Sequence, residues 1–590
     1  MDNYLDWINK HKLFVVLCVF GFVAVMLVGA KRLTITADYK IFFDKDNEYL
    51  SQFEKHQSIY DKSENILLAL DFGSKDVFSR ENLSIVREIT KQLWQVPYST
   101  RVDSVTNFQR SIAVGDDIFV GDLVSDPSDL SPAEIKGLYQ YAIGEKLLFN
   151  RLIGESASVV AINITQSYPP SPINERKNAL EYVRDLRTEY AEKYPNLTIH
   201  ISGLTALNGA FTESAKGDLK KLTPLMMLAI IIIVGFVLRT VKGVLSVFLL
   251  VTLSSVIAFG CAGWVGITLS PPALSALNII LIINVAIVVH VFTNYYQSLS
   301  ETGDPQGALK ATFQLNTKAL LITGLTTIIG FLSMNFSEAP PFRTLGNIVS
   351  LGVVAAMILT FTLLPILLSS GKDEKRLGKS DLGTKLMTNL SSIVIDYRAS
   401  ILVATVSLVC VLGYMAQKNV VNDRYSEYFS EATEFRQATD FVSKHLPSLY
   451  TIEFNMKSKG INGISDPEYL YHLDRFVTWL RKEPNVANVY TLADTIKRLN
   501  KNMHEDDESY YAIPENNELA SQYLLMYELS LPFGLDLNSQ ISADRSSTRV
   551  TGTLTNLPTR EMLVLEETTN QWIIDNLPEY MWTDATSPSV

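Results

Sequence analysis

Cysteine is nearly missing from this chain. It has three in 590 residues, Cys18, Cys261 and Cys410, and each falls inside an apolar run. No disulfide can staple a water-facing domain, and no spacing suits a metal. Positive charge is short as well. Lys and Arg number 51 against 62 Asp and Glu, a net charge of −11, the wrong sign for a nucleic-acid partner. No stretch has the G-x-x-x-x-G-K-[ST] order of a phosphate loop, so ATP is not expected as an energy source. No nucleophile motif or converging acid–base pair appears. No cofactor and no enzymatic activity are expected. Charge of either sign is scarce across residues 222–370, and that scarcity sets the class.

What is present is apolar length. The chain is 47% apolar with a mean hydropathy of +0.14, and the apolar residues are concentrated. About 20 such residues cross a bilayer as a helix. Seven runs qualify: 13–30, 222–238, 243–267, 273–296, 319–336, 343–369 and 400–417. The first follows Lys10 and Lys12 but is long for a signal peptide and has no A-x-A site after it, so it reads as a permanent anchor. Residues 32–220 and 419–590 are polar and acidic, as water-facing domains are. Short loops containing Arg239, Lys242, Lys310, Lys318, Lys372, Lys375, Arg376, Lys379, Lys385 and Arg398 define the cytoplasmic side. Both large domains then lie outside.

The chain also repeats itself. A charged stub, Trp7 to Lys12, leads into the first apolar run, followed by Asp38, Tyr39, Phe42 and Phe43. Asp396-Tyr397-Arg398 leads into the seventh, followed by Asp423, Tyr425, Tyr428 and Phe429. Such a long repeat is a duplicated membrane half, as in secondary transporters. The first polar domain reads as strand 64–72, helix 81–95, strand 101–106, strand 157–165, helix 174–194 and strand 197–202. This βαββαβ order is a split-βαβ module. The second reads as strand 450–457, a helix opened by Asp466 and Pro467, strand 486–491, strand 549–555, helix 559–576 and strand 579–583. Acidic, loop-rich insertions fill 107–156 and 492–546. If the duplication is kept, a second five-span block of roughly 170–180 residues is expected beyond Val590.

The fold expected is an α-helical polytopic membrane protein with two α+β (split βαβ, ferredoxin-like) extracytoplasmic domains. Its parts are a stub and first span at 1–31, a first domain at 32–221, and spans two to six at 222–370. A cytoplasmic linker at 371–399, a seventh span at 400–418 and a second domain at 419–590 follow. Between spans four and five, residues 307–312 read as a short amphipathic helix. Span five holds Leu325-Thr326-Thr327-Ile328-Ile329-Gly330-Phe331-Leu332-Ser333. Pro340-Pro341-Phe342-Arg343 and Leu345-Gly346 follow, and Leu363-Leu364-Pro365 closes span six.

At these residues the chain resembles the resistance-nodulation-division (RND) superfamily, in its MMPL and sterol-sensing-domain-like branch. The resemblance covers nearly the whole chain. It implies twelve spans in two halves, two periplasmic porter-like domains in the inner membrane, and export driven by the proton gradient. Substrates would be hydrophobic or amphipathic, lipid-like or drug-like. A homo-oligomer or a periplasmic partner is also compatible with it. Proton-driven members of the branch carry an Asp in span four three residues before a His. Here the His is His290, and Ile287 stands where the Asp would be.

From the residues themselves, Asn284, His290 and Asn294 share about a third of the span-four circumference with Ile287. An ionisable group in a membrane is usually functional, and histidine titrates near neutral pH. His290 with Asn284 and Asn294 is the candidate proton relay. A plain packing role, satisfied by a neighbouring helix, is the other reading. Asn278, Asn335 and Asn347 read as helix bridges, Glu338 with Arg343 as a rim pair, and Asp38 and Asp423 as turn residues after spans one and seven. The leading function is transport. The alternatives are a non-transporting sterol- or lipid-sensing or scaffold protein, or an inactive fragment of a transporter.

Overall fold

The computed structural model describes residues 2–369 and 381–586, apart from 37, 61–63, 74–75, 115–116, 155–157, 170–172, 420–423 and 447–449. Asp423 and the linker residues Lys372, Lys375, Arg376 and Lys379 lie outside the described residues. The chain forms two compact units, Met1–Asp44 with Phe211–Val420, and Lys45–Ala210 with Val421–Val590.

Among the described residues, the seven helices long and apolar enough to cross a membrane are Lys12–Ala30, Leu204–Leu238, Val241–Val265, Pro271–Thr302, Pro305–Phe336, Pro340–Ser369 and Arg398–Ala416, and apart from residues 204–210 they belong to the first unit. The short helix expected at 307–312 is not separate. It is the start of span five, because the Asp304 side chain accepts from the Gln306 and Gly307 amides, Pro305 takes the first turn, and nothing after Thr312 breaks the helix.

Span six is the hub and packs against spans one, three, four and five. Its two Leu-Gly pairs explain themselves. A Cβ on Gly346 would stand 2.3 Å from the Phe331 carbonyl oxygen, and one on Gly352 2.5 Å from Ile280 Cγ1. Gly330, by contrast, faces open space. Spans one and three meet even more closely. Gly29, Gly260 and Gly263 lie backbone to backbone, and the Trp264 indole donates to the Val25 carbonyl at 3.0 Å. Small residues allow such an approach in lipid, where packing rather than water expulsion holds helices together.

Just beyond that seam Thr34–Ile35 pairs in parallel with Thr268–Leu269, so spans one and three run the same way. At the opposite end Lys12 donates to Ser369 Oγ (3.0 Å), Lys242 to the Leu368 carbonyl (3.3 Å), and Lys310 meets Asp6 (3.0 Å). The starts of spans one, three and five and the end of span six thus share one end of the bundle, as single alternating passes require. The rim pair expected between Glu338 and Arg343 is not what forms. Arg343 pairs with Asp44 at 2.8 Å and donates to the Ser337 carbonyl at 2.6 Å, because the chain leaving span one delivers Asp44 to the start of span six. No residue of span seven is buried.

The second unit contains both polar domains. The first copy runs α1 (Glu48–Ile59), β1 (Asn65–Asp71), α2 (Arg80–Leu93), β2 (Ser99–Asp103), the hairpin β3 (Gln109–Val114) and β4 (Asp117–Asp122), α3 (Pro132–Gly144), β5 (Val159–Gln166), α4 (Ile173–Lys193) and β6 (Thr198–Ser202). Its sheet is antiparallel in the order β2-β5-β1-β6. In β1 residues 66–70 are buried throughout, the mark of a central strand covered on both faces. The helices begin where their caps dictate: Ser79 for α2, and for α3 Ser131 with Glu134 in a capping box around Pro132.

The second copy runs α5 (Glu434–His445), β7 (Tyr450–Lys457), α6 (Pro467–Leu480), β8 (Val486–Tyr490), α7 (Leu492–Asn502), α8 (Asn517–Ser530), β9 (Ser547–Leu554) and α9 (Thr559–Asn576). Its sheet is three-stranded, β8-β9-β7. The strand expected at 579–583 does not form. Pro578 opens a 3₁₀ turn, Glu579–Met581, and the Trp582 indole folds back onto the Leu577 carbonyl at 3.1 Å. A single bridge, Glu453 to Thr586, takes that edge. The duplication itself is plain. The first and seventh spans have 19 residues each and α1 and α5 have 12 each, and the spans, the 3₁₀ turns Tyr39–Phe42 and Tyr425–Tyr428, and the helices all start 386 residues apart (398 − 12 = 425 − 39 = 434 − 48). Asp38 caps the first of these turns, accepting from the Lys40 amide at 3.0 Å.

The insertions, expected as loops, are ordered against one another. Ile118 of β4 enters the hydrophobic core of the second copy. Ser111 donates to Asn502 at 2.6 Å, Arg498 pairs with Glu145 at 3.0 Å, and Asn488 donates to the Phe149 carbonyl at 2.9 Å. The helices before the modules cross over as well. α1 of the first copy lies on the sheet of the second, where the Tyr60 hydroxyl meets Asn455 at 2.8 Å and Ser547 at 3.1 Å. α5 of the second copy lies on β6 of the first, through Ser202 with Thr439 (3.0 Å) and His200 stacked on Phe441 (centroids 3.9 Å).

Candidate membrane-embedded polar site

Span four is the polar helix of the spanning unit. Its long apolar run, residues 279–292, is interrupted by Asn284 and His290, and Asn294 follows just after it. Asn294 stands one turn past His290, and its amide nitrogen lies 3.3 Å from His290 Nε2. The same nitrogen donates to Asn316 Oδ1 of span five at 2.7 Å. Asn316, buried inside the bundle, in turn donates to its own Thr312 carbonyl at 2.8 Å. Nε2 accepts from that amide when the imidazole carries its proton on Nδ1. The result is a polar rung, His290–Asn294–Asn316, joining spans four and five.

Asn284 belongs to a different contact. It is buried and donates to Ser254 Oγ of span three at 2.5 Å, and its carbonyl oxygen has no partner among the described residues. Of the three candidates the structure unites His290 with Asn294 and sends Asn284 elsewhere. Ile287 packs into the apolar core formed with Val288, Val291 and Leu359. Asn278 accepts from Thr223 at 3.1 Å, and Asn335 and Asn347 exchange amide bonds at 2.9 Å, so all three bridge helices. Sequence reasoning missed Asn316 and Ser254. Asn316 lies at the polar start of span five, where an asparagine looks like a surface residue until the helix proves to begin at Pro305.

A bundle of spanning helices with a polar rung, joined in one chain to a duplicated α+β unit, defines a polytopic membrane protein with internal repeats. Residues 167–381, the greater part of the membrane block, match the MMPL family. The chain is 21% identical to the "Putative membrane protein YdgH" of Bacillus subtilis over 53% of its own length and 36% of that protein's. It is 21% identical to the "Probable transport protein MmpL4" of Mycobacterium leprae over 50% of its length and 32% of the relative's. For the "Probable transport protein MmpL1" of Mycobacterium tuberculosis the figures are 21%, 57% and 35%. The chain thus spans about a third of the length of the curated relatives it matches.

Proposed function

We propose that this protein acts in membrane transport of the MmpL type, moving a hydrophobic or amphipathic molecule, lipid-like or drug-like, across or out of an inner membrane. The family match and the transport relatives support the class. The gathering of Lys12, Lys242 and Lys310 at one end of the bundle supports that end as cytoplasmic. The second unit then lies outside as two split-βαβ, ferredoxin-like domains, 32–221 and 419–590, with 222–370 and 400–418 in the bilayer.

The observation that carries a moving part is the rung. Protonating His290 Nε2 would set one donor against another at Asn294. The Asn294 amide would have to turn over, and its bond to Asn316 would break. Proton uptake in span four would then re-pair spans four and five, which is how a single titration becomes a helix movement. The apolar Ile287 favours the second reading, a lipid-sensing protein without proton coupling, since no carboxylate stands at that position to back the histidine.

One experiment separates the two. The full-length protein is reconstituted in vesicles with a fluorescent lipid analogue, with and without an imposed proton gradient. Gradient-dependent movement that His290→Ala abolishes supports coupled transport through the rung. Movement indifferent to the gradient removes the coupling. Binding of the analogue with no movement under either condition overturns transport in favour of sensing.

A further inference from the structure

The two crossover seams of the second unit are built from different chemistry. Beneath α1 lies a closed ionic cluster. His56 Nδ1 is 3.4 Å from a Glu453 carboxylate oxygen, and the side chains of both are only 3% exposed. Arg549 of β9 pairs with the same carboxylate. Beneath α5 the contacts are a hydroxyl pair, Ser202 with Thr439, and the stack of His200 on Phe441, while at its more exposed start Glu434 pairs with Arg187 and Arg184 of the first copy. His200 is half-buried at a rim where Asp71, Arg187 and His445 also act on it. Burial first, then His445 and Arg187, lower its pKa against the pull of Asp71, yet the partly exposed ring can take up a proton in place, over an aromatic face that attracts a cation.

The α1 seam has no such latitude. Glu453 and Arg549 face His56 from β7 and β9, and the Tyr60 ring faces it from the end of its own helix, centroids 4.9 Å apart. Tyr490 and Asp544 stand behind Arg549 and Tyr60. Among the described residues, His56 Nε2, the Glu453 oxygen nearest His56 and Thr551 Oγ1, which sits opposite Glu453 in the sheet, are buried without a hydrogen bond. Unsatisfied polar atoms and a desolvated ion pair make a poor permanent joint, because an apolar contact of the same size would hold better. They make a good releasable one, since water satisfies every one of these groups once the helix lifts.

We propose that α1 is a proton-released latch on the sheet of the second copy, opened when His56 takes up a proton, while the α5 seam stays closed. Burial holds His56 down from 6.5 to about 4, against the pull of Glu453 and with the push of Arg549. The sign follows. Above 6.5 the ring is neutral whether α1 is docked or free, and the seam is at full strength. As pH falls from 6.5 towards 4, only the undocked form takes the proton, so docking is progressively lost. At pH 5 the undocked population should exceed its value at pH 7.5 by about 30-fold.

The test is amide hydrogen exchange on the full-length protein in lipid nanodiscs between pH 7.5 and 5, corrected for the intrinsic pH dependence of exchange. Opening of residues 48–59 should rise about 30-fold, and opening of 434–445 by less than about 3-fold. In His56→Gln the rise in α1 should vanish. Spin labels at Gln52→Cys and Asp584→Cys, whose native side chains lie 3.5 Å apart at the exposed margin of the seam, read the same event without disturbing the cluster, and their separation should grow with acid. A flat α1 profile, an equal rise in both helices, a rise that persists in His56→Gln, or a label separation unmoved at pH 5 would each overturn the latch.

Discussion

The glycine seam between spans one and three offers the sharpest stability test. A methyl group on Gly263 would stand 1.9 Å from the Gly29 carbonyl oxygen, and one on Gly260 2.4 Å from the Met26 carbonyl oxygen. Carbon and oxygen settle at about 3.3 Å or more, so Gly263→Ala must push the helices about 1.4 Å apart at that level. Backbone is the obstacle on both sides, and no side chain can swing away. Overpacking of this kind costs about 1–3 kcal/mol. Separation also stretches the Trp264–Val25 hydrogen bond, worth about 1 kcal/mol. Gly263→Ala and Gly260→Ala should each lose about 2–4 kcal/mol. Gly21, on the same first span, has nothing within 4 Å of a Cβ. Gly21→Ala should be neutral or gain up to about 1 kcal/mol from helix propensity. Equilibrium unfolding of the full-length protein in mixed micelles, titrated with a denaturing detergent, measures all three. If the seam variants track Gly21→Ala, the close approach of spans one and three is wrong.

Other expectations follow from the same reasoning. Arg498→Met leaves Glu145 unpaired at a site where both side chains are about a tenth exposed. It should cost about 3–5 kcal/mol by urea unfolding monitored within the second unit, and Arg498→Met with Glu145→Met should recover most of the loss. Asn316→Ala removes the acceptor that ties Asn294 to span five and should cost about 0.6–1.7 kcal/mol in the micelle assay. Asn347→Ala should fall in the same range, since it breaks the reciprocal pair with Asn335.

Much of the architecture was legible in the sequence because it rests on local pattern. Apolar length located the seven spans, the apolar run of β1 located that strand, and the Asp466-Pro467 cap located α6. What was illegible depends on what a segment meets. The amphipathic face of α1, with Phe53 and His56 buried, announces a partner but does not say that the partner is the other copy's sheet. The insertions look like acidic loops because their order comes from each other. The strand at 579–583 fails because Pro578 turns the chain before the edge of β7 can be covered. The site follows the same division. His290 and Asn294 are four residues apart on one helix and had to be neighbours. Asn284 lies on the same third of the helix, yet that arc is wide enough to face span three at one edge and span five at the other.

The crossover changes what the duplication means. Two modules joined in tandem could each be removed without harm to the other, but here α1 of the first copy covers the sheet of the second, and α5 of the second covers β6 of the first. Each helix comes soon after a span, so the chain leaving one membrane helix is committed to the module encoded by the opposite half. A change that frees α1 uncovers the Glu453–Arg549 pair and leaves the first copy's own sheet intact. A change that frees α5 uncovers Ser202 and His200 and leaves the second copy's sheet intact. The two halves share a template, but the groups buried under their crossover helices differ in charge. Asymmetric response to acid is then a consequence of sequence divergence at a few positions, His56, Glu453 and Arg549 on one side and Thr439 and Ser202 on the other, within a backbone that kept its repeat.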